Sequence, residues 1–181
     1  MEERVILVDE HDAEIGTEEK QRAHLDGRLH RALSVFVLDD EGRLLLHRRA
    51  GGKYHSGGRW TNTCCSHPRP GEPVAEAARR RLREEMGIDV ELAPAFTFVY
   101  RAEVGPGLVE HEYDHVFVGR SGGEPRPDAD EVEAWAWAGF DEILACMETD
   151  PEGYTPWFRI VMQTPELREK IARLGAAPAR A

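Results

Sequence analysis

Apolar residues in this chain recur mostly in short β-type runs, broken by helical spacing once in the middle and again towards the end. Val5–Val8 is a short run closed by Asp9, and the turn after it leads to a second short strand ending at Gly16. Residues 17–24 are polar and fit a helical turn or an extended arm. Ala32–Leu38 is rich in β-formers, Asp39–Gly42 reads as a turn, and Arg43–His47 reads as the partner strand of a hairpin. Residues 48–59 are basic and glycine-rich, hence a loop, and Trp60–Cys64 reads as a short strand. Val74, Ala78, Leu82 and Met86 then recur every fourth residue, one stripe of a helix. Pro73 suits its start, where the missing N–H is not needed, and Gly87 suits its stop. Ile88–Leu92, Ala95–Val104, Leu108–Gly119 and Val132–Trp137 are strand-like, with Gly105-Pro106-Gly107 as a turn. Phe140–Met147 and Trp157–Leu174 carry helical patterns. This order predicts an α+β fold, an α/β/α sandwich around a mixed sheet.

The length, 181 residues, fits a single domain over 1–181, with residues 1–30 as an N-terminal arm and 164–181 as a helix end and tail. A net charge of −11 argues against nucleic acid as a partner. Three cysteines do not make a disulfide scaffold, and the neighbours Cys64 and Cys65 would form a badly strained bridge. Cys146, alone on an apolar stretch, reads as a core residue. Free thiols suit a reducing compartment. The start of the chain has no apolar segment behind basic residues, and no stretch reaches membrane-spanning length. The expectation is a cytoplasmic protein without membrane contact.

Chemistry-bearing residues concentrate at 60–87, where a Cys pair, a His and an Arg/Glu-rich helix fall within thirty positions. His24, His30, His67, Glu110 and Glu112 are candidate metal ligands. In a strand, Glu110 and Glu112 point to one face and His111 to the other. Three imidazoles and two carboxylates suit Mn²⁺, Zn²⁺ or Mg²⁺. No short metal motif is present, so the same residues also read as surface or core-edge groups. Cys65, beside Ser66 and His67, is a candidate reactive thiol if a cation lies near; a pair of small buried cysteines is the alternative. Lys20, Arg48, Arg49, Lys53, Arg81 and Arg83 could converge on an anion, since Arg forks match phosphate oxygens. Singly, they also fit a solvated surface, with Arg80–Glu84 and Arg81–Glu85 as i,i+4 pairs. His11, His47, His55, His111 and His115 read as surface or packing residues.

Ser66, Glu72 and the run Arg80–Ile88 together resemble the Nudix signature. Ser66 replaces its leading Gly, and Arg81 replaces the first Glu of its core. An Arg there repels a metal and attracts phosphate. Thr61–Pro68 (TNTCCSHP), Glu110–Glu112 (EHE) and Thr155–Phe158 (TPWF) complete a resemblance to the metal-dependent, Nudix-fold isopentenyl diphosphate isomerases, running from about Val5 to Gln163. The resemblance implies a Nudix-like fold and interconversion of isopentenyl and dimethylallyl diphosphate through a carbocation. It implies metal ligation by His24, His30, His67, Glu110 and Glu112. It implies catalytic roles for Cys65, Glu112 and Tyr100, with Cys65 as a thiolate, and a cation-facing Trp157. It implies diphosphate contacts from Lys20, Arg49, Lys53 and Arg81, and a Mg²⁺ held on the diphosphate by Glu85. The partner is then a small isoprenoid diphosphate, and the expected state is a monomer.

Overall fold

The computed structural model describes residues 3–176. The last residues of the tail expected at 164–181, and the first two of the arm, lie outside them.

The order is β1 (Arg4–Val8), β2 (Glu14–Glu19), α1 (Lys20–Asp26), β3 (His30–Leu38), β4 (Leu44–Arg49), β5 (Trp60–Thr61), β6 (Cys64–Ser66), α2 (Val74–Met86), β7 (Leu92–Gly105), β8 (Leu108–Arg120), β9 (Val132–Ala138), α3 (Phe140–Thr149), α4 (Pro156–Met162) and α5 (Pro165–Ala176), with a 3-10 turn at Pro151–Gly153. β3 is the axis of a mixed sheet. Along one edge it runs parallel to β8 from His30–Glu112 to Leu38–Arg120. Along the other it meets β1 at Leu7, β6 over Leu33–Val35, and β4 at Leu38–Leu44. β7 closes antiparallel on β8, while β4 turns away to pair with β9 and β5.

β3 is buried on both faces from Ala32 to Leu38, as a run that is apolar except for Ser34 requires, and Ser34 donates to Asp114 Oδ2 at 2.7 Å. Leu33, Val35 and Val37 point to one layer and meet Ala77, Ala78, Leu82 and Met86 of α2. Phe36 and Leu38 point to the other and meet Ile143 of α3, Phe158 and Val161 of α4, and Leu167 of α5. The expected α/β/α sandwich is therefore present. Burying a side chain such as Leu82, fully inaccessible here, contributes roughly 2 kcal/mol.

Several expected boundaries differ. The second strand runs on to Glu19, and α1 follows it directly. β3 and β4 share one pair only, so they form no extended hairpin; β6 takes the edge that a hairpin partner would use. Ile88–Glu91 is irregular, and β7 is one continuous strand through Pro94. The last helical pattern is two helices, because Pro165 cannot donate into a continuing turn. Cys146 is exposed on α3 rather than in the core. No helix among the described residues is long and apolar enough to cross a membrane.

Candidate active site

Strand register assembles the first half of the site. Glu110, Glu112 and Asp114 alternate along β8 with their side chains buried. Glu112 sits opposite His30 of β3 on one side and opposite Tyr100 of β7 on the other. Tyr100 Oη lies 2.6 Å from Glu112 Oε2 and 3.0 Å from Glu110 Oε2. His67 Nε2 lies 2.9 Å and His30 Nε2 3.5 Å from Glu112 Oε1. α1 adds His24, fully buried, with ring centroids 4.9 Å from His30 and 5.8 Å from His67.

The tautomers of two of these rings follow from their partners. His24 Nδ1 is 2.6 Å from the Lys20 carbonyl, and His30 Nδ1 is 2.8 Å from that of Arg28. A carbonyl only accepts, so both Nδ1 atoms carry hydrogen and both Nε2 atoms keep a free lone pair. Both Nε2 atoms are buried without a hydrogen-bond partner. Ligand atoms of His24, His30, His67 and Glu112 lie within 4.8 Å of one another, a spacing and donor chemistry that fit a divalent cation. Orphaned buried nitrogens would otherwise be costly.

Burial would raise the Glu112 pKa, but the hydrogen bond with His67 and the nearness of His30 hold it well below the ordinary value. Glu110 goes the other way, raised by burial and by the Glu112 charge. The two carboxylates thus behave as a pair with opposite tendencies.

The second half is delivered by β6, whose two cysteines face opposite layers. Cys64 joins the α2 side of the core and Cys65 turns towards α4. The Cys65 thiol lies 2.7 Å from Asn62 Oδ1, and Trp157 Nε1 donates to its sulfur at 3.1 Å. Asn62 is itself held by donating to the carbonyls of Val35 and Cys64 at 3.2 and 2.8 Å. Burial pushes the thiol pKa up, with the nearby Asp114 adding to it. These surroundings favour S–H over the thiolate expected from the sequence, because burial outweighs the opposing pull of Arg49, which is stacked over Trp157 at 5.2 Å.

Cys65, Trp157, Tyr100, Glu110, Glu112 and His67 line one cavity of about 340 Å³, within the range of small-molecule sites. Its rim carries Lys20, Arg49, Lys53, Arg81 and Glu85. His24 and His30 stand behind the wall rather than on it. The expected residues therefore converge from separate parts of the chain. Three of these four expected cations hold a carboxylate: Lys20 pairs with Glu3 at 3.1 Å, Lys53 with Glu131, and Arg81 with Glu85 at 2.6 Å and Glu131 at 3.5 Å. Glu3 and Glu131 have no motif around them, and only their charge could have drawn notice. His55, read from sequence as a surface or packing residue, is buried, with Nε2 3.5 Å from Glu110 Oε1. Glycine spacing in its loop was the one available signal.

Comparison with known proteins agrees with this geometry. The NUDIX domain family model matches residues 28–158. An isopentenyl-diphosphate Delta-isomerase 2 of Aromatoleum aromaticum is 57% identical over 157 residues, covering 87% of this chain and 83% of the relative. The chain belongs to the NUDIX-fold isopentenyl-diphosphate Delta-isomerase family. A second Aromatoleum aromaticum isomerase is 52% identical and covers 95% of this chain and 100% of its own. Among solved structures, DR0079 from Deinococcus radiodurans superposes with a TM-score of 0.72 at 20% identity, covering 94% of this chain and 98% of that one. At that identity the likeness speaks for the fold.

Proposed function

We propose that this family member interconverts isopentenyl diphosphate and dimethylallyl diphosphate, with Cys65 and Glu112 as the proton-transferring pair. The observation that carries the reading is that a thiol and a carboxylate line one cavity that Lys20, Arg49, Lys53 and Arg81 also line. Isomerisation forms a C–H bond at the terminal alkene carbon, leaves a tertiary carbocation, and breaks a C–H bond two carbons along. That chemistry needs one proton donor and one acceptor, placed on either side of the carbons. Because the reaction runs both ways, each residue gives a proton in one direction and takes one in the other.

Tyr100 holds Glu112 through its hydroxyl and keeps the carboxylate oriented. Trp157 presents its ring beside Cys65, where a cation over an aromatic face gains about 2 kcal/mol or more once water is excluded. Lys20, Arg49, Lys53 and Arg81 hold the diphosphate. Binding energy from this remote handle then orients the reacting carbons. His24, His30, His67, Glu110 and Glu112 would hold Mn²⁺, Zn²⁺ or Mg²⁺, and Glu85 a Mg²⁺ on the diphosphate. When bound, the first ion supplies positive charge that fixes Glu112 and tunes its affinity for a proton.

The test is proton NMR with isopentenyl diphosphate in D₂O, with divalent metal and then with chelator. Deuterated dimethylallyl diphosphate, lost on chelation, is expected. Released phosphate or pyrophosphate without isomer would overturn the reading in favour of a hydrolase.

A further inference from the structure

The loop between β4 and β5 contains Gly51, Gly52, Gly57 and Gly58 and folds back on itself. A Cβ at Gly57 would stand 2.8 Å from the Gly51 carbonyl oxygen, so only glycine permits the close approach. Ser56 sits at φ +52°, in the left-handed region that side chains disfavour. This backbone buries one side chain. Tyr54 is 44% exposed, whereas the next residue, His55, is 8% exposed.

The His55 ring meets Trp157 edge-on at 5.9 Å and stands 5.8 Å from the His24 ring. Its Nε2 is 3.5 Å from Glu110 Oε1. Ligand atoms of His24, His55 and Glu110 lie within 4.8 Å of one another, as do those of His24, His30, His67 and Glu112. The two groups share His24, whose buried Nε2 has a free lone pair and no partner.

We propose that His55 is a further ligand of the same divalent ion, completing a donor set of four imidazoles and two carboxylates with His24, His30, His67, Glu110 and Glu112. This rests on the metal site of the proposed function and adds to it a residue from the diphosphate side. Such a set suits octahedral coordination and favours a transition-series cation over Mg²⁺, which prefers oxygen. Lys53 and His55 then share one loop, so the element that grips the diphosphate is anchored on the ion.

The test uses the full chain stripped with chelator and reloaded with Co²⁺. Ring N–H protons of cobalt-bound imidazoles are strongly shifted in proton NMR and vanish in D₂O. The expectation is one such signal for each of the four histidines in the wild type. His55→Phe, which keeps a ring against Tyr54 and Trp157, should lose one signal and bind Co²⁺ at least ~10-fold more weakly by chelator competition. His55→Gln serves as a second variant, with circular dichroism as the check on folding of both. A wild type with one signal fewer, unchanged by either substitution, would overturn the assignment and leave the ion site standing. No shifted signal in the wild type would overturn both.

Discussion

Single side chains separate the chemistry from the grip on substrate. Cys65→Ala and Glu112→Gln should each lower kcat by ~10²-fold or more, the usual scale for removing a general acid or base, with little change in KM. Arg49→Ala should chiefly raise KM if, as proposed, it holds the diphosphate. Steady-state kinetics on the isomerase reaction checks both, and a Cys65→Ala effect confined to KM would remove its catalytic role. His47 offers a test of stability. Its ring is buried, with Nδ1 3.1 Å from the Thr63 carbonyl, and burial lowers its pKa from 6.5 to about 4. A histidine held neutral stabilises the fold fully above its unfolded pKa, and that contribution is lost as pH falls from 6.5 towards 4. The full span is on the order of 3 kcal/mol. Thermal melts at pH 7 and pH 5 should therefore converge in His47→Asn relative to the wild type. At this scale the sequence was legible where a residue belongs to a motif, as Cys65, His67 and Glu112 do. It was silent on Glu131 and His55, whose neighbours are set by loop closure rather than by spacing.

Among the elements, α2 was readable from its four-residue stripe and its end at Gly87, because both are local properties. The pairing of β3 was not. Its partners β6 and β8 lie far along the chain, and the adjacent β4 looked like the obvious mate until the Asp39–Gly42 turn carried it away. The single helix expected from Trp157 to Leu174 failed on the same ground in reverse: periodicity continued across Thr164-Pro165 while the backbone could not. Gly87 also has a consequence at a distance. It sits at φ +65°, where an added Cβ would lie 2.6 Å from the Arg126 carbonyl oxygen. The segment that it meets is tied to the end of α2 through Arg126 N–H to Met86 O and Asp128 N–H to Glu85 O, both at 2.9 Å. That segment leads to Glu131, which pairs with Lys53 and Arg81. Gly87→Ala should cost about 1–2 kcal/mol from the left-handed backbone alone, more with the clash. It should also raise KM, since the clash pushes on the segment that sets the diphosphate rim. A lowered melting temperature with unchanged KM would show that the strain is absorbed before Glu131.

Across the whole molecule, the His/Glu centre joins side chains from four separate parts of the fold. His24 comes from α1, His30 from the start of β3, His67 from beyond β6, and Glu112 from β8. The N-terminal hairpin meets β3 and β8 through the pair Leu7–His30, through Asp12 against Arg31 at 2.7 Å and His115 at 3.0 Å, and through the buried side chains of β1, and the ion would add to that hold on the α1 arm. A ligand that binds only the folded state stabilises it by about 2.7 kcal/mol at a hundredfold excess over Kd. For a chain of this size that corresponds to roughly 5–10 °C in melting temperature. Chelator should therefore lower the melt by this amount, and excess Mn²⁺ or Zn²⁺ should restore it. The effect should be local before it is global: the amides of α1 should lose hydrogen-exchange protection first, while β3 and β8, buried between two helical layers, keep theirs. His24→Gln should reproduce the lower melt without chelator and respond little to added metal. Equal melting with and without chelator, in a protein shown by metal analysis to have been loaded, would mean that strand pairing alone secures the arm and that the ion serves the reaction without holding the fold.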